Sequence, residues 1–321
     1  MRKTTKTWLM IAASLAVVGL ITFAAVMSAY NWDFAKLSTK KFVTNTYEIG
    51  EGFSSLSMNT DTANIKFVLS DDGKCRVECY EEEKSKHSVT VQEDTLVIQV
   101  IDNKSWYDYI GINFGLPKIT VYLPKTEYTN LLINGDTSDI EIPNDFVFKD
   151  VDISLSTGDV NLFASASEQM KIKTSTGNIH VENTAVGALE LSASTGGITV
   201  SKVICEGDAN INVSTGKTDL TDMECKNLVS NGSTGNIFLN HVIAAGKCSI
   251  KRSTGNIRLD GSDANEIFVE TETGDVVGSL LTDKVFITQT DTGRVDVPKT
   301  VVGGKCEIIT DTGDIKITMR K

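Results

Sequence analysis

Ser156-Thr157-Gly158-Asp159-Val160 returns as Ser175-Thr176-Gly177-Asn178-Ile179 and, at the far end of the chain, as Asp311-Thr312-Gly313-Asp314-Ile315. The central glycines of this phrase are Gly158, Gly177, Gly196, Gly216, Gly235, Gly255, Gly274, Gly293 and Gly313, spaced 19 or 20 residues apart throughout. A fixed period of this length marks an architecture of stacked repeats. Asp136-Thr137-Ser138-Asp139-Ile140 is a further copy with serine in the glycine place, so the regular series covers residues 131–321.

Two residues after the glycine stand Val160, Ile179, Ile198, Thr218, Ile237, Ile257, Val276, Val295 and Ile315, and two further on a second, mostly aliphatic position follows. Five residues before the glycine the chain offers Ile153, Ile172, Leu191, Ile211, Ser230, Ile250, Val269, Thr288 and Ile308. This alternation gives two strands, each with one buried face. Each repeat then reads as strand, Thr-Gly corner, strand and a looser segment of about seven residues. No useful helical periodicity follows residue 32. The fold class expected is all-β: a single-stack parallel β-solenoid of about ten coils, roughly 50 Å long at a strand spacing of about 4.8 Å. A lone coil would not fold, because burying four or five aliphatic side chains at roughly 1.5–3 kcal/mol each does not offset about 1–2 kcal/mol of backbone entropy per residue. Stability accumulates only with stacked neighbours.

The corner residues Thr157 and Gly158, Thr176 and Gly177, Thr195 and Gly196, Thr215 and Gly216, Thr234 and Gly235, Thr254 and Gly255, Thr273 and Gly274, Thr292 and Gly293, and Thr312 and Gly313 are expected to stack in ladders. Threonine suits a strand end and its hydroxyl can satisfy backbone groups at the bend; the glycine is expected at positive φ. Before the threonine, Ser gives way late in the chain to Glu272, Asp291 and Asp311. Asp291-Thr292-Gly293 and Asp311-Thr312-Gly313 match the Asp-Thr-Gly of aspartic proteases, but stacked neighbours lie side by side and cannot face each other across a shared proton. Asp291, Asp311 and Asp314 are the candidate oxygen ligands for a cation such as Ca²⁺. Solvated corner charges that resist end-to-end association are the competing reading.

Six cysteines are present. Cys205 and Cys225 share a phase nine residues after the glycine, which puts them on adjacent coils within disulfide reach. Cys248 and Cys306 share an inward phase but are expected three coils apart, and Cys75 and Cys79 share one strand face. The rest read as small core hydrophobes. Neither a cofactor motif nor a catalytic constellation is found.

Upstream, Thr7 to Trp32 carries no charge, with Trp8 at one end and Tyr30 and Trp32 at the other. About 20 apolar residues cross a bilayer, with aromatic residues at the interfaces. Arg2, Lys3 and Lys6 precede the span and put the N-terminus in the cytoplasm, so 1–6 is read as a cytoplasmic tail and 7–32 as a transmembrane helix. A cleaved secretory signal is the alternative; both export the remainder. Residues 33–55 read as a polar stalk and 56–130 as an N-terminal β region of degenerate coils, in which Glu81-Glu82-Glu83-Lys84-Ser85-Lys86-His87 reads as a solvated turn. The aromatic run from Trp106 to Phe114 is expected to cap the first coils. Beyond residue 30, 28 Lys+Arg stand against 42 Asp+Glu, a net charge of −14. That balance disfavours nucleic acid as a partner.

An N-terminal span followed by a β-rich region with repeated S-T-G-[DN]-[IV] phrases resembles the bacterial putative-adhesin family, over residues 40–321. The resemblance implies a β-solenoid at the cell envelope, outside the membrane, with roles in adhesion, scaffolding or envelope-stress sensing and without assigned catalytic residues. The partners expected are the membrane and an envelope protein or glycan. The contrasting class is a polysaccharide-active parallel β-helix enzyme, a lyase or glycosidase. Such an enzyme needs paired acids or a Ca²⁺/Arg/Lys constellation on one face, whereas the acids here track the corners.

Overall fold

The computed structural model describes residues 3–33, 40–102, 104–106 and 115–320. Helix α1, Lys3–Ala29, is 27 residues long and contains one stretch, Thr4–Ala29, long and apolar enough to cross a membrane, with a mean hydropathy of 2.5. The basic residues Lys3 and Lys6 lie within the helix.

The remainder is a parallel β-solenoid, as the repeat predicts. Thr137, Thr157, Thr176, Thr195, Thr215, Thr234, Thr254 and Thr273 pair in register from coil to coil. At eight of the nine glycine corners the glycine N–H donates to the threonine carbonyl of the neighbouring coil, as in Gly177 N to Thr195 O at 2.9 Å. The segment expected to be loose is strand as well: Ile179–Thr195 runs 17 residues without a break. It bends at Asn183, and the same place in later coils is held at positive φ by Lys202, Asp222 and His241. Equivalent residues above and below complete the hydrogen bonding there, so the segment needs no turn of its own. One continuous apolar core runs from Leu56 to Ile317.

The coils do not stack in chain order at either end. The last strand pair, Gly304–Thr312 and Ile315–Met319, lies between the coil of Ile257–Leu280 and the coil of Lys284–Asp296. Thr312 therefore pairs with Thr273 on one side and Thr292 on the other. The chain terminus is thus threaded into the stack, and the coil that ends the rod is an internal loop of the chain. One consequence concerns Cys248 and Cys306: both pair with Ile267, so they are two coils apart and not three, still beyond disulfide reach.

At the other end β1 (Phe42–Ile49), β2 (Ser55–Thr62), β3 (Asn64–Leu69), β4 (Cys75–Glu82), β5 (Ser85–Gln92), β6 (Thr95–Asp102), β7 (Lys118–Leu123), β8 (Glu127–Thr137) and β9 (Ile140–Ile142) follow the same logic. The coil β2–β3 is slotted between β8–β9 and β6–β7. Outside it, β4 pairs antiparallel with both β7 and β1, and β5 pairs antiparallel with β6. This change of direction caps the stack. The expected stalk, residues 33–55, thus contains β1, which closes the cap. Of the aromatic run expected to cap the coils, Trp106 is described and 107–114 lie outside the described residues.

Candidate functional site

The cap holds a cluster of buried ionisable side chains: Glu81, Glu82 and His87. Along β4 the inward positions are Cys75, Val77, Cys79 and Glu81, all buried. Period-2 alternation puts Glu81 on the same face as three apolar residues, and β5 then brings His87 beside it. Glu81 is fully buried and His87 is 6% exposed, so the charged stretch 81–87 is not the solvated turn its composition suggests. Only Glu83 and Lys84 form the turn. A buried carboxylate needs partners, and Glu81 has them: Asn45 Nδ2 donates to Oε1 at 2.6 Å, the His87 backbone N–H donates to Oε2 at 2.6 Å, and His87 Nδ1 lies 2.7 Å from Oε2. The Tyr47 hydroxyl donates to the His87 carbonyl at 2.9 Å. His87 Nε2 is buried without a partner. Burial, together with Glu81, pushes the Cys79 thiol up to about 12; burial, then Glu81 and Cys79, raises the Tyr47 hydroxyl.

Next to this cluster His87 helps to line a cavity of about 340 Å³ with Lys40, Asp61, Glu82, Lys104 and Leu116. Glu82 bridges Lys40 at 2.9 Å and Lys104 at 3.0 Å. Burial acts to raise the Glu82 carboxyl, but hydrogen bonds from the two lysines outweigh it and hold the group below the usual carboxylate range. The site thus pairs a buried cluster of His, Glu and Cys with a charged rim.

The residues singled out by sequence have other places. The corner glycines are close-packed on each other: a Cβ on Gly196, at φ 137°, would stand 1.9 Å from the Gly177 carbonyl oxygen. The corner threonines are exposed, and hydroxyls that reach corner carbonyls come instead from Thr174, Thr271, Thr290 and Thr310, three residues before the glycine. The acidic residue after the glycine also has a backbone task. Asp159 Oδ1 accepts from Asn178 N at 2.7 Å, Asp275 Oδ1 from Asp314 N at 2.8 Å, and Asp314 Oδ1 from Arg294 N at 2.8 Å. This Asx ladder explains the preference for Asp or Asn at that phase. Asp291 and Asp311 are exposed on neighbouring corners; among the described residues the group of metal-capable side chains that converges is Cys79, Glu81 and His87. Cys205 and Cys225 lie side by side, as the register Ile204 with Glu224 requires, and all six cysteines are buried free thiols in this structure.

A family model described as Toastrack DUF4097 matches residues 53–212 and again 206–321. The chain belongs to the Toastrack DUF4097 family. The double match divides the Toastrack stack within the coil of Asp208–Thr215, with the cap in the first half and the re-threaded coils in the second. Among solved structures, one described as a putative adhesin from Bacteroides fragilis is 15% identical, with a TM-score of 0.42, over 88% of this chain and 99% of that one. A putative adhesin from Parabacteroides distasonis is 12% identical, with a TM-score of 0.49, over 87% and 98%. A putative lipid binding protein from the same organism is 18% identical, with a TM-score of 0.46, over 73% and 94%. No curated protein matches.

Proposed function

We propose that the chain is a noncatalytic envelope rod, tethered by α1 with its solenoid outside the membrane, that holds a protein partner at the end remote from the tether. The observation that carries this reading is the character of the last coil in the stack. The chain enters the solenoid through β1 in the cap, so the coil of Lys284–Asp296 forms the opposite end, about ten coils or roughly 50 Å away. That coil is paired on one side only. It gathers Leu281, Val285, Ile287, Val295, Val301 and Val302 as exposed apolar side chains, with Val301 90% exposed. Scattered exposed apolar residues are ordinary, but six within residues 281–302, in and beside a strand with an open edge, suit docking of another protein. Pro298 blunts the edge after Val295–Asp296, which leaves the nine-residue strand Lys284–Thr292 as the accessible one.

Adhesion and scaffolding share this requirement, and so does a sensing role in which occupancy of the tip is reported through the rod. The family membership and the putative adhesins among similar structures are consistent with it. The test is a pull-down of the full chain from intact, cross-linked cells, run beside an Ile287→Lys, Val301→Asp, Val302→Asp variant. Loss of the co-purifying protein in the variant, with the chain still folded and exported, supports the tip as the binding end. An unchanged set of captured proteins contradicts it.

A further inference from the structure

We propose that Cys79, Glu81 and His87 form a buried site for a thiophilic divalent cation of the zinc class. The site goes beyond the tip-binding reading and lies at the other end of the molecule. Its three ligand atoms, the Cys79 sulfur, a Glu81 carboxylate oxygen and a His87 ring nitrogen, lie within 4.8 Å of one another and all three residues are buried. Thiolate, imidazole and carboxylate together select zinc-like ions over Ca²⁺ or Mg²⁺, which prefer oxygen alone.

A bound dication also balances the charge of the site. Glu81 is wholly buried, and its contacts are the Asn45 amide, the His87 backbone N–H and the His87 imidazole. The lysines nearby, Lys40 and Lys104, are engaged by Glu82. A dication bound by one carboxylate and one thiolate leaves the site neutral with a neutral imidazole, the Cys79 thiol proton passing to solvent. His87 is nine-tenths buried and presents Nδ1 to Glu81 Oε2 at 2.7 Å, so Nδ1 is the ring nitrogen placed to share an ion with Glu81 and Cys79. A water as the fourth ligand would complete the arrangement of zinc sites with three protein donors. Asn45 would then be an outer-shell residue, orienting Glu81 through its 2.6 Å hydrogen bond.

The experiment uses the full chain in detergent micelles, reduced and freed of metal with a chelator, and titrated with Co²⁺. The expected result is a thiolate-to-cobalt charge-transfer band that saturates at one equivalent and is displaced by Zn²⁺. The band should vanish in Cys79→Ser and persist in Cys75→Ser, which removes another buried thiol of the same strand. Asn45→Ala should keep the band and weaken Co²⁺ binding roughly 10–100-fold. Absence of the band in the unmodified chain overturns the proposal, whatever the variants do. So does a band that survives Cys79→Ser, because the thiolate would then come from elsewhere.

Discussion

At the scale of single residues the Thr-Gly phrase carries its meaning in the glycine. With Gly196 at φ 137° and the Gly177 carbonyl 1.9 Å from where a Cβ would stand, Gly196→Ala meets both a forbidden backbone region and a backbone atom that cannot yield. The φ strain alone costs about 1–3 kcal/mol, and the overlap adds to it by forcing the two coils apart. The variant should unfold well below the unmodified chain in a thermal melt followed by circular dichroism. Glu82 gives a residue-scale prediction of another kind. Its folded pKa is lowered, so its stabilising contribution is present above the unfolded pKa and disappears as pH falls through the folded one. Glu82→Gln should therefore melt below the unmodified chain at neutral pH, and the gap should close in acid. The glycine was legible from period alone. The burial of Glu81 was not, because seven consecutive polar residues look alike whether a hairpin turns before or after them. Arg252 illustrates the same limit: it occupies an inward phase, 3% exposed, with Nη1 donating to the Val213 carbonyl at 2.7 Å, which no apolar pattern announces.

At the scale of elements, the two strands of each coil followed directly from alternation, and the third did not, since its residues carry a weaker pattern and take their hydrogen bonds from neighbouring coils. Stack order was the larger surprise. Repetition fixes what each coil looks like, and equivalent coils are interchangeable as far as local pattern goes, so the phrase cannot say which neighbour a coil chooses. The chosen order protects the terminus: Gly304–Thr312 is flanked by strands on both sides, while Lys284–Thr292 has one open edge. A buried ion pair, Lys284 Nζ to Asp263 Oδ1 at 2.6 Å, ties the end coil across the inserted one. Hydrogen exchange should accordingly find the amides of 304–312 slower than those of 284–292, although they lie closer to the chain's end. The reverse order would mean that the coils stack in sequence.

At the scale of the whole molecule, the solenoid has two unlike ends. The cap reverses strand direction, buries a polar cluster and is entered from the N-terminal helix; the far end leaves an apolar strand edge open to solvent. A rod with one closed and one open end fits the proposed reach outward from a membrane, and a net charge of −11 works against association of neighbouring rods. The architecture was readable from nine glycines, but the asymmetry of the ends was not, because it arises where the repeat stops. The most direct test of the account places a photo-activated cross-linker at Ile287 or Val302 in the end coil and at Lys173 or Glu190 on the mid-rod face, in intact cells. A tip-binding rod gives one cross-linked species from the two end positions and none from the mid-rod positions; cross-links from the mid-rod alone would rule out binding at the tip.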